Sequence, residues 1–499
     1  MLLKVTIPLV ILNFFTQLLC AQLAPIPIKI PNNIDNAVAT FAADAQLSNA
    51  SISFYVYDID REIVVSEFNP KMSLPTASIM KLVTTATALE ILGSGTKFTT
   101  KIQYDGTFDS ITGILNGNLY IKGGGDPTLG SKLYAQDSVD VMQEWVDAVL
   151  KLGIKKITGR VIGDATFFTD EFVPANWSWG DMGNYYGAGV SGLSIYDNVV
   201  KLWFKGGLNV DDSTWITCYE PYSPDMKFEN RVKTGALTGD VVYIYGAPYA
   251  AHRIIKGRIP KNSEELEVRV SMHEPDYVCA YEFQHKLIQN CIQVENNPTT
   301  VRRLLLLDYI LPIERVDILK VFSPAVSSIV YWTNLISNNL YAEHLLKHIG
   351  VSRFGDGSVY SSISAIDKFW RNKGIDMTGF YMADGCGLAR ANAASAKHLV
   401  DILVYMRTKS KFKGSFESSL PVAGKTGTMK TIGKDKRLIG NLKAKTGTMT
   451  RIKSFAGYLT CVSGKNLAFS IIVNNYNCTA EEVTRKMENI MSAMADFNE

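Results

Sequence analysis

The chain is short of the features that mark most specialised classes. Beyond the N-terminus, no stretch reaches the roughly 18 consecutive apolar residues that a membrane span needs. Seven cysteines are present but no CxxC pair, so a zinc ribbon or a thioredoxin-like site has no support. Neither sign of charge dominates: 51 Lys and Arg oppose 48 Asp and Glu, leaving a net +3. With no basic patch and no recognisable module, nucleic acid is not an expected partner. Internal repeats and low-complexity segments are absent. What remains is ordinary globular material: 499 residues, 46% hydrophobic and 10% aromatic, enough for more than one core. That balance excludes a disordered, collagenous or coiled-coil chain.

The N-terminus reads as a targeting segment. Lys4 follows Met1-Leu2-Leu3, Val5 to Leu19 is mostly apolar, and small residues follow at Cys20-Ala21. This pattern predicts a secretory signal over residues 1–21, and hence an exported protein of the periplasm or cell envelope. A lipid anchor on Cys20 is the alternative, but Leu19 is bulky where a small residue is expected. In an exported protein the other six cysteines could form disulfides, with Cys279 and Cys291 the nearest pair in sequence; scattered buried thiols are the equal alternative. A chain this large does not need disulfide staples.

Residues 33–47 carry apolar side chains at helical spacing. Residues 52–58 and 62–68 alternate as two strands around a short Asp60-Arg61 turn. Near the C-terminus, 441–450, 454–462 and 467–474 read as three more strands, followed by a helix over 479–497. Strands at both chain ends predict one antiparallel sheet closed by both termini. The middle, about 96–310, is a β-rich insertion of short alternating runs. From about residue 312 helical patterning returns, notably from Ile329 to Ile349.

Three motifs carry candidate chemistry. In Pro75-Thr76-Ala77-Ser78-Ile79-Met80-Lys81, Ser78 falls in the first turn of a helix, and Lys81 faces the same side one turn on. A serine hydroxyl is a weak nucleophile until a base takes its proton, and a lysine kept neutral by burial can be that base. Ser337-Asn338-Asn339 lies inside the predicted helical stretch and can present a hydroxyl and an amide to one cleft. Lys-Thr-Gly-Thr occurs twice, at 425–428 and 445–448. The second copy sits in a strand, where Lys445, Thr446, Gly447 and Thr448 can bind an anionic peptide end, the glycine allowing close approach. The first copy leads into a charged loop without strand alternation and is set aside.

SxxK, SxN and KTG in this order form the set of the β-lactamases and penicillin-binding proteins. The chain resembles the class C low-molecular-mass penicillin-binding proteins, of D-alanyl-D-alanine carboxypeptidase/endopeptidase type, from about residue 30 to the end. Accessory patterns at 124–129, 384–388 and 420–424 add to the likeness. The resemblance implies an α/β (α+β) fold. Residues 22–95 and 311–499 would form a discontinuous transpeptidase-like domain, an antiparallel sheet flanked by helices. Residues 96–310 would hold two small accessory domains.

It further implies Ser78 as the acylated nucleophile, Lys81 as its base and Ser337 as the proton relay to the leaving amine. Asn339 would hold a substrate amide and Lys445 would keep the cleft electropositive. Thr446 and Thr448 would bind the terminal carboxylate, and the amides of Ser78 and Thr448 the oxyanion. Asp164 matches an insert-domain acid that meets a diamino acid side chain, and Arg390 a substrate-contacting position. Peptidoglycan stem peptides are the expected substrate and β-lactam antibiotics covalent inhibitors. No metal or cofactor is implied, and peripheral membrane association is left open. A serine β-lactamase and a catalytically silent wall-binding protein are the alternatives; the large insertion speaks against the first and the intact motifs against the second.

Two positions depart from the family pattern: Asn338, usually Asp, and Cys386, usually Ser. Cys386 is a candidate reactive thiol, although a swap of small residues is the plainer reading. His344 and His348 have metal-pair spacing but lack the HExxH arrangement, and read as surface or half-buried. His252, His273, His285 and His398 show no triad pattern. Asn477-Cys478-Thr479 fits a glycosylation sequon, given no weight beside a bacterial-type resemblance.

Overall fold

The computed structural model describes residues 31–137, 140–433 and 435–498; the predicted signal segment lies outside them. Both chain ends build one five-stranded antiparallel sheet. Its order is Leu442–Met449, Ile452–Thr460, Asn466–Asn474, Ser51–Asp58 and Ile63–Phe68. Alternation along these strands divides two cores. Phe455, Phe469, Ile471 and Val473 pack with Ile34 and Val38 of the helix Asn33–Ala42 and Met487 and Ile490 of the helix Ala480–Ala495. Ala456, Ala468 and Ile472 face the other side, with Leu82 and Val83 of the helix Met80–Leu92 and Leu399 and Leu403 of the helix Ala396–Thr408. Capping boxes open both terminal helices, Asn32 with Asp35 and Thr479 with Glu482.

The helix Met80–Leu92 is buried at every position from Met80 through Leu89, its polar residues included. Its hydroxyls are paired in the interior: Thr84 donates to the Gly385 carbonyl at 2.6 Å and Thr87 accepts from Trp370 Nε1 at 2.8 Å. Buried polar groups without such partners cost about 1–3 kcal/mol each.

The predicted helical stretch 329–349 is two helices, Val326–Leu335 and Asn339–Phe354. Ser337 breaks it at φ +63°, and Asn338 caps the second helix by accepting the Tyr341 amide at 3.1 Å. The SxN residues therefore sit at a helix start, where side chains are free to face a cleft.

Between the two halves, Thr99–Tyr104, Leu119–Lys122 and Val161–Asp164 join Val316–Phe322 and Thr299–Thr300 in a second five-stranded sheet. Val316–Phe322 pairs antiparallel with Thr99–Tyr104, so the inserted sheet closes after residue 310, where the sequence reading ended it. Two three-stranded sheets and a four-stranded one complete the β-rich middle. The helices Val141–Leu152 and Pro275–Gln289 pack in its core, with Trp145 edge-on to Phe283. The six cysteines among the described residues are free.

Candidate active site

Ser78 lies in a 3-10 turn, Ala77–Ile79, that leads directly into the helix Met80–Leu92. Ala77 holds φ +48° to make that turn. Lys81 follows on the same face, and its Nζ donates to Ser78 Oγ at 3.1 Å, Asn339 Oδ1 at 2.6 Å and the Cys386 carbonyl at 2.6 Å. The ammonium stem is fully buried. Burial pulls the Lys81 pKa down from 10.5, against the opposing acidic groups Cys386, Asp384 and Glu343. An amine with a lowered pKa, in hydrogen-bond reach of a hydroxyl, can accept that hydroxyl's proton.

Two further elements converge on this pair. Asn339 Nδ2 donates to the Tyr186 carbonyl at 2.8 Å, which orients its oxygen toward Lys81. On the strand Leu442–Met449, Lys445 Nζ donates to Ser337 Oγ at 2.9 Å and to the Thr446 carbonyl at 2.8 Å. Burial, then Lys81 and Lys453, push the Lys445 pKa well below 10.5. Gly447 is where the strand touches the Ser78 turn. A Cβ there would lie 2.2 Å from Ser454 Oγ, 2.7 Å from the Thr76 carbonyl and 3.1 Å from the Ser78 amide. Glycine is the residue that allows this approach.

A cavity of about 1260 Å³ opens over these groups, lined by Ser78, Ser337, Asn339, Thr448, Asp181 and Arg390 among others. The structure thus gathers Ser78, Lys81, Ser337, Asn339, Lys445, Gly447, Thr448 and Arg390. Thr446 turns elsewhere: its hydroxyl meets Thr428 Oγ1 at 2.9 Å. The first Lys-Thr-Gly-Thr copy, folded as a 3-10 turn at Gly427–Met429, is therefore the packing partner of the second.

Asp164 is not in this cavity. It is buried in the inserted sheet, bonded to Lys122 Nζ at 3.0 Å and Arg315 at 2.6 Å, and lines a separate cavity. Burial raises its pKa, but Lys122, Thr166 and Arg315 together hold it below 3.8. Asp181 is one of five acids that line the Ser78 cavity, with Asp197, Glu220, Glu267 and Glu282; it accepts from Tyr186 Oη at 3.3 Å and feels the charge of Arg390. Burial raises the Asp181 pKa, while Tyr186 and Arg390 oppose. Asp181 lies in a four-residue helix, Trp179–Met182, with no motif spacing to reveal it in the sequence.

Cys386 is fully buried, and burial raises its thiol well above 9.0, so it is not the reactive thiolate its position suggested. Its backbone does the contacting: the carbonyl grips Lys81, and the amide donates to Glu343 Oε1 at 2.7 Å. Behind it, Asp384 accepts from the amides of Gly387 and Ala389, from Asn392 and from Trp177 Nε1. Glu343, Asp384 and Cys386 place three metal-capable atoms within 4.8 Å, as do Asp225, His273 and Glu274. The Asp384 and Glu343 oxygens are taken up by these donors, and Arg303 holds Asp225 and Glu274. His344 and His348 are buried rather than exposed. His344 meets the Leu340 carbonyl, Ser194 and the Ser191 carbonyl, and His348 the Gly125 carbonyl at 2.9 Å.

The model of the D-Ala-D-Ala carboxypeptidase 3 (S13) family matches residues 34–498. The chain belongs to that family. It is an enzyme of the D-Ala-D-Ala carboxypeptidase class and a low-molecular-mass penicillin-binding protein. It is 28% identical over 417 residues to the D-alanyl-D-alanine carboxypeptidase of Actinomadura sp. (strain R39), covering 80% of this chain and 73% of that one. The fold is that of penicillin binding protein 4 from Haemophilus influenzae, with a TM-score of 0.77 at 19% identity over 92% of this chain and 99% of that one. The same protein complexed with a novel β-lactam gives a TM-score of 0.73 at 18% identity, covering 94% of this chain and 100% of that one.

Proposed function

We propose that this family member is an exported serine peptidase that cleaves the D-Ala-D-Ala end, and the cross-links, of peptidoglycan stem peptides through an acyl-enzyme on Ser78. The observation that carries this reading is Lys81, buried, lowered in pKa and bonded at once to Ser78 and Asn339. Lys81 takes the Ser78 proton as Oγ attacks the scissile carbonyl carbon. The amides of Ser78 and Thr448 receive the oxyanion, an arrangement that typically contributes about 3–4 kcal/mol. Collapse breaks the C–N bond, and the proton taken up by Lys81 reaches the leaving amine through Ser337, which accepts one proton as it gives up another and is held by Lys445. Water then cleaves the ester and regenerates the Ser78 hydroxyl.

The other cleft residues bind the peptide. Thr448 and the strand edge take the terminal carboxylate, whose arrival favours the charged form of Lys445. Thr446 supports this strand through Thr428 rather than contacting the carboxylate. Arg390 and Asp181 meet charged groups further along the stem peptide, with Asp181 in the role the sequence offered to Asp164.

Intact-mass measurement after incubation with benzylpenicillin tests the reading. One adduct is expected on the wild type and none on Ser78→Ala. A folded wild type that takes no adduct would sink the acyl-enzyme claim. Rapid turnover of penicillin with no lasting adduct would redirect it to a β-lactamase.

A further inference from the structure

The Ser337 turn and the strand Leu442–Met449 touch directly where Lys445 Nζ donates to Ser337 Oγ. A second tie runs beside that bond, through residues 419–429, which carry the first Lys-Thr-Gly-Thr copy. The strand lies at the edge of its sheet, and this segment covers its outer side at 442–444. There the Ala423 amide donates to the Leu442 carbonyl at 2.9 Å and the Ala444 amide to the Pro421 carbonyl at 3.0 Å. Further along, Thr446 Oγ1 donates to Thr428 Oγ1 at 2.9 Å.

The other side of the segment meets the Ser337 element. Gly427 sits at φ +53°, and a Cβ there would lie 2.1 Å from the Leu335 carbonyl oxygen. Leu335 ends its helix two residues before Ser337. One residue earlier, Asn334 is fully buried and donates through Nδ2 to Ser419 Oγ at 2.8 Å and to Thr85 Oγ1 at 3.1 Å. Thr85 donates in turn to the Lys81 carbonyl at 2.7 Å. Residues 419–428 thus join all three motif elements: the Lys81 helix through Asn334, the Ser337 turn through Gly427 and the Lys445 strand through Thr428. The segment is closed by its own bonds, the Val422 amide to Thr426 Oγ1 and the Gly424 amide to the Met429 carbonyl, each at 3.0 Å. Met429 is buried beneath it.

We infer that residues 419–428 set the spacing of Ser337 and Lys445, with Thr428 a positioning residue that acts through Thr446. The inference rests on the acyl-enzyme reading, in which Ser337 relays the proton. Thr428 does not line the Ser78 cavity, so its effect on the reaction passes through the strand. Reacting groups must be held about 3–3.5 Å apart, and a shift of about 1 Å far from the chemistry can cost about a hundredfold in rate. Loss of one of several ties should cost less than that.

The test is the rate of benzylpenicillin acylation, followed by intact mass, with melting temperatures alongside. Thr428→Val keeps the shape and loses the hydroxyl, and should acylate about tenfold more slowly. Thr428→Ser keeps the hydroxyl and should stay within about twofold of wild type. Thr446→Val breaks the same bond from the other side and carries the same test if Thr428→Val does not fold. The double valine variant should be no slower than the slower single one, because both remove one interaction. A folded Thr428→Val that acylates at the wild-type rate would overturn the inference. So would a serine variant as slow as the valine one, or losses that multiply in the double variant. A wild type that takes no adduct would overturn the acyl-enzyme reading instead, and this inference with it.

Discussion

Lys81 shows how one side chain is tuned by what surrounds it. It reaches a hydroxyl, an amide oxygen and a carbonyl, and burial works against its charge. Glu343 opposes that effect from behind the Cys386 peptide, its own pKa raised to about 7 by burial and then by Asp384. Removing the Glu343 charge while keeping its hydrogen bond should let the Lys81 pKa fall further. Glu343→Gln is therefore expected to move the acid limb of penicillin acylation to lower pH, with the plateau rate within about twofold. The measurement is the acylation rate against pH; a limb that does not move would reduce Glu343 to a scaffold for the Cys386 amide. The SxxK spacing made Lys81 legible in the sequence, because i and i+3 share a helix face. Glu343 and Asp181 were not legible as site residues. Each reaches the site by tertiary packing alone, and no local pattern separates them from other helix acids.

At the scale of elements, both sheet halves and the terminal helices were readable from alternation and capping signals, whereas the break at residues 336–338 was not. Apolar positions run on at helical spacing through Ile329, Val330 and Leu335 and then through Leu340, Tyr341 and Leu345, with no glycine or proline between. The break rests on a left-handed serine and an asparagine cap, both available only once the two helices are packed. The cap also explains Asn338 where the family has Asp. Either side chain accepts an amide at a helix start equally well. Asn338→Asp should leave stability within about 0.5 kcal/mol, and Asn338→Ala should cost about 1 kcal/mol, the ordinary value of such a cap. Because Ser337 and Asn339 flank the cap, the alanine variant should also acylate more slowly. Urea denaturation beside acylation kinetics checks both halves; an alanine variant as stable as wild type would show that the cap contributes nothing.

The whole molecule depends on how the catalytic half grips the insertion, and one grip is made by the pattern at residues 124–129. Gly125 sits at φ +75°, and a Cβ there would fall 2.6 Å from His348 Nε2. His348 Nε2 bonds the Gly125 carbonyl at 2.9 Å, and the ring stacks on Phe98 with ring centroids 3.5 Å apart. Burial lowers its pKa from 6.5 to about 3, the Gly125 carbonyl opposing. The sign of the consequence is fixed. Below pH 6.5 the unfolded chain binds a proton at this histidine that the folded chain refuses, so acid withdraws stability until the folded value is reached. One such group accounts for roughly 1.4 kcal/mol per pH unit across that window. His348→Gln removes the titrating group. Loss of the ring stack should lower its stability at every pH, but its decline between pH 6 and 4 should be shallower than that of wild type by about this slope. Parallel denaturation series at several pH values measure the difference. Equal slopes would mean that the junction opens and admits the proton before the molecule unfolds, and the Gly125–His348 contact would then be a hinge rather than a latch between the two halves.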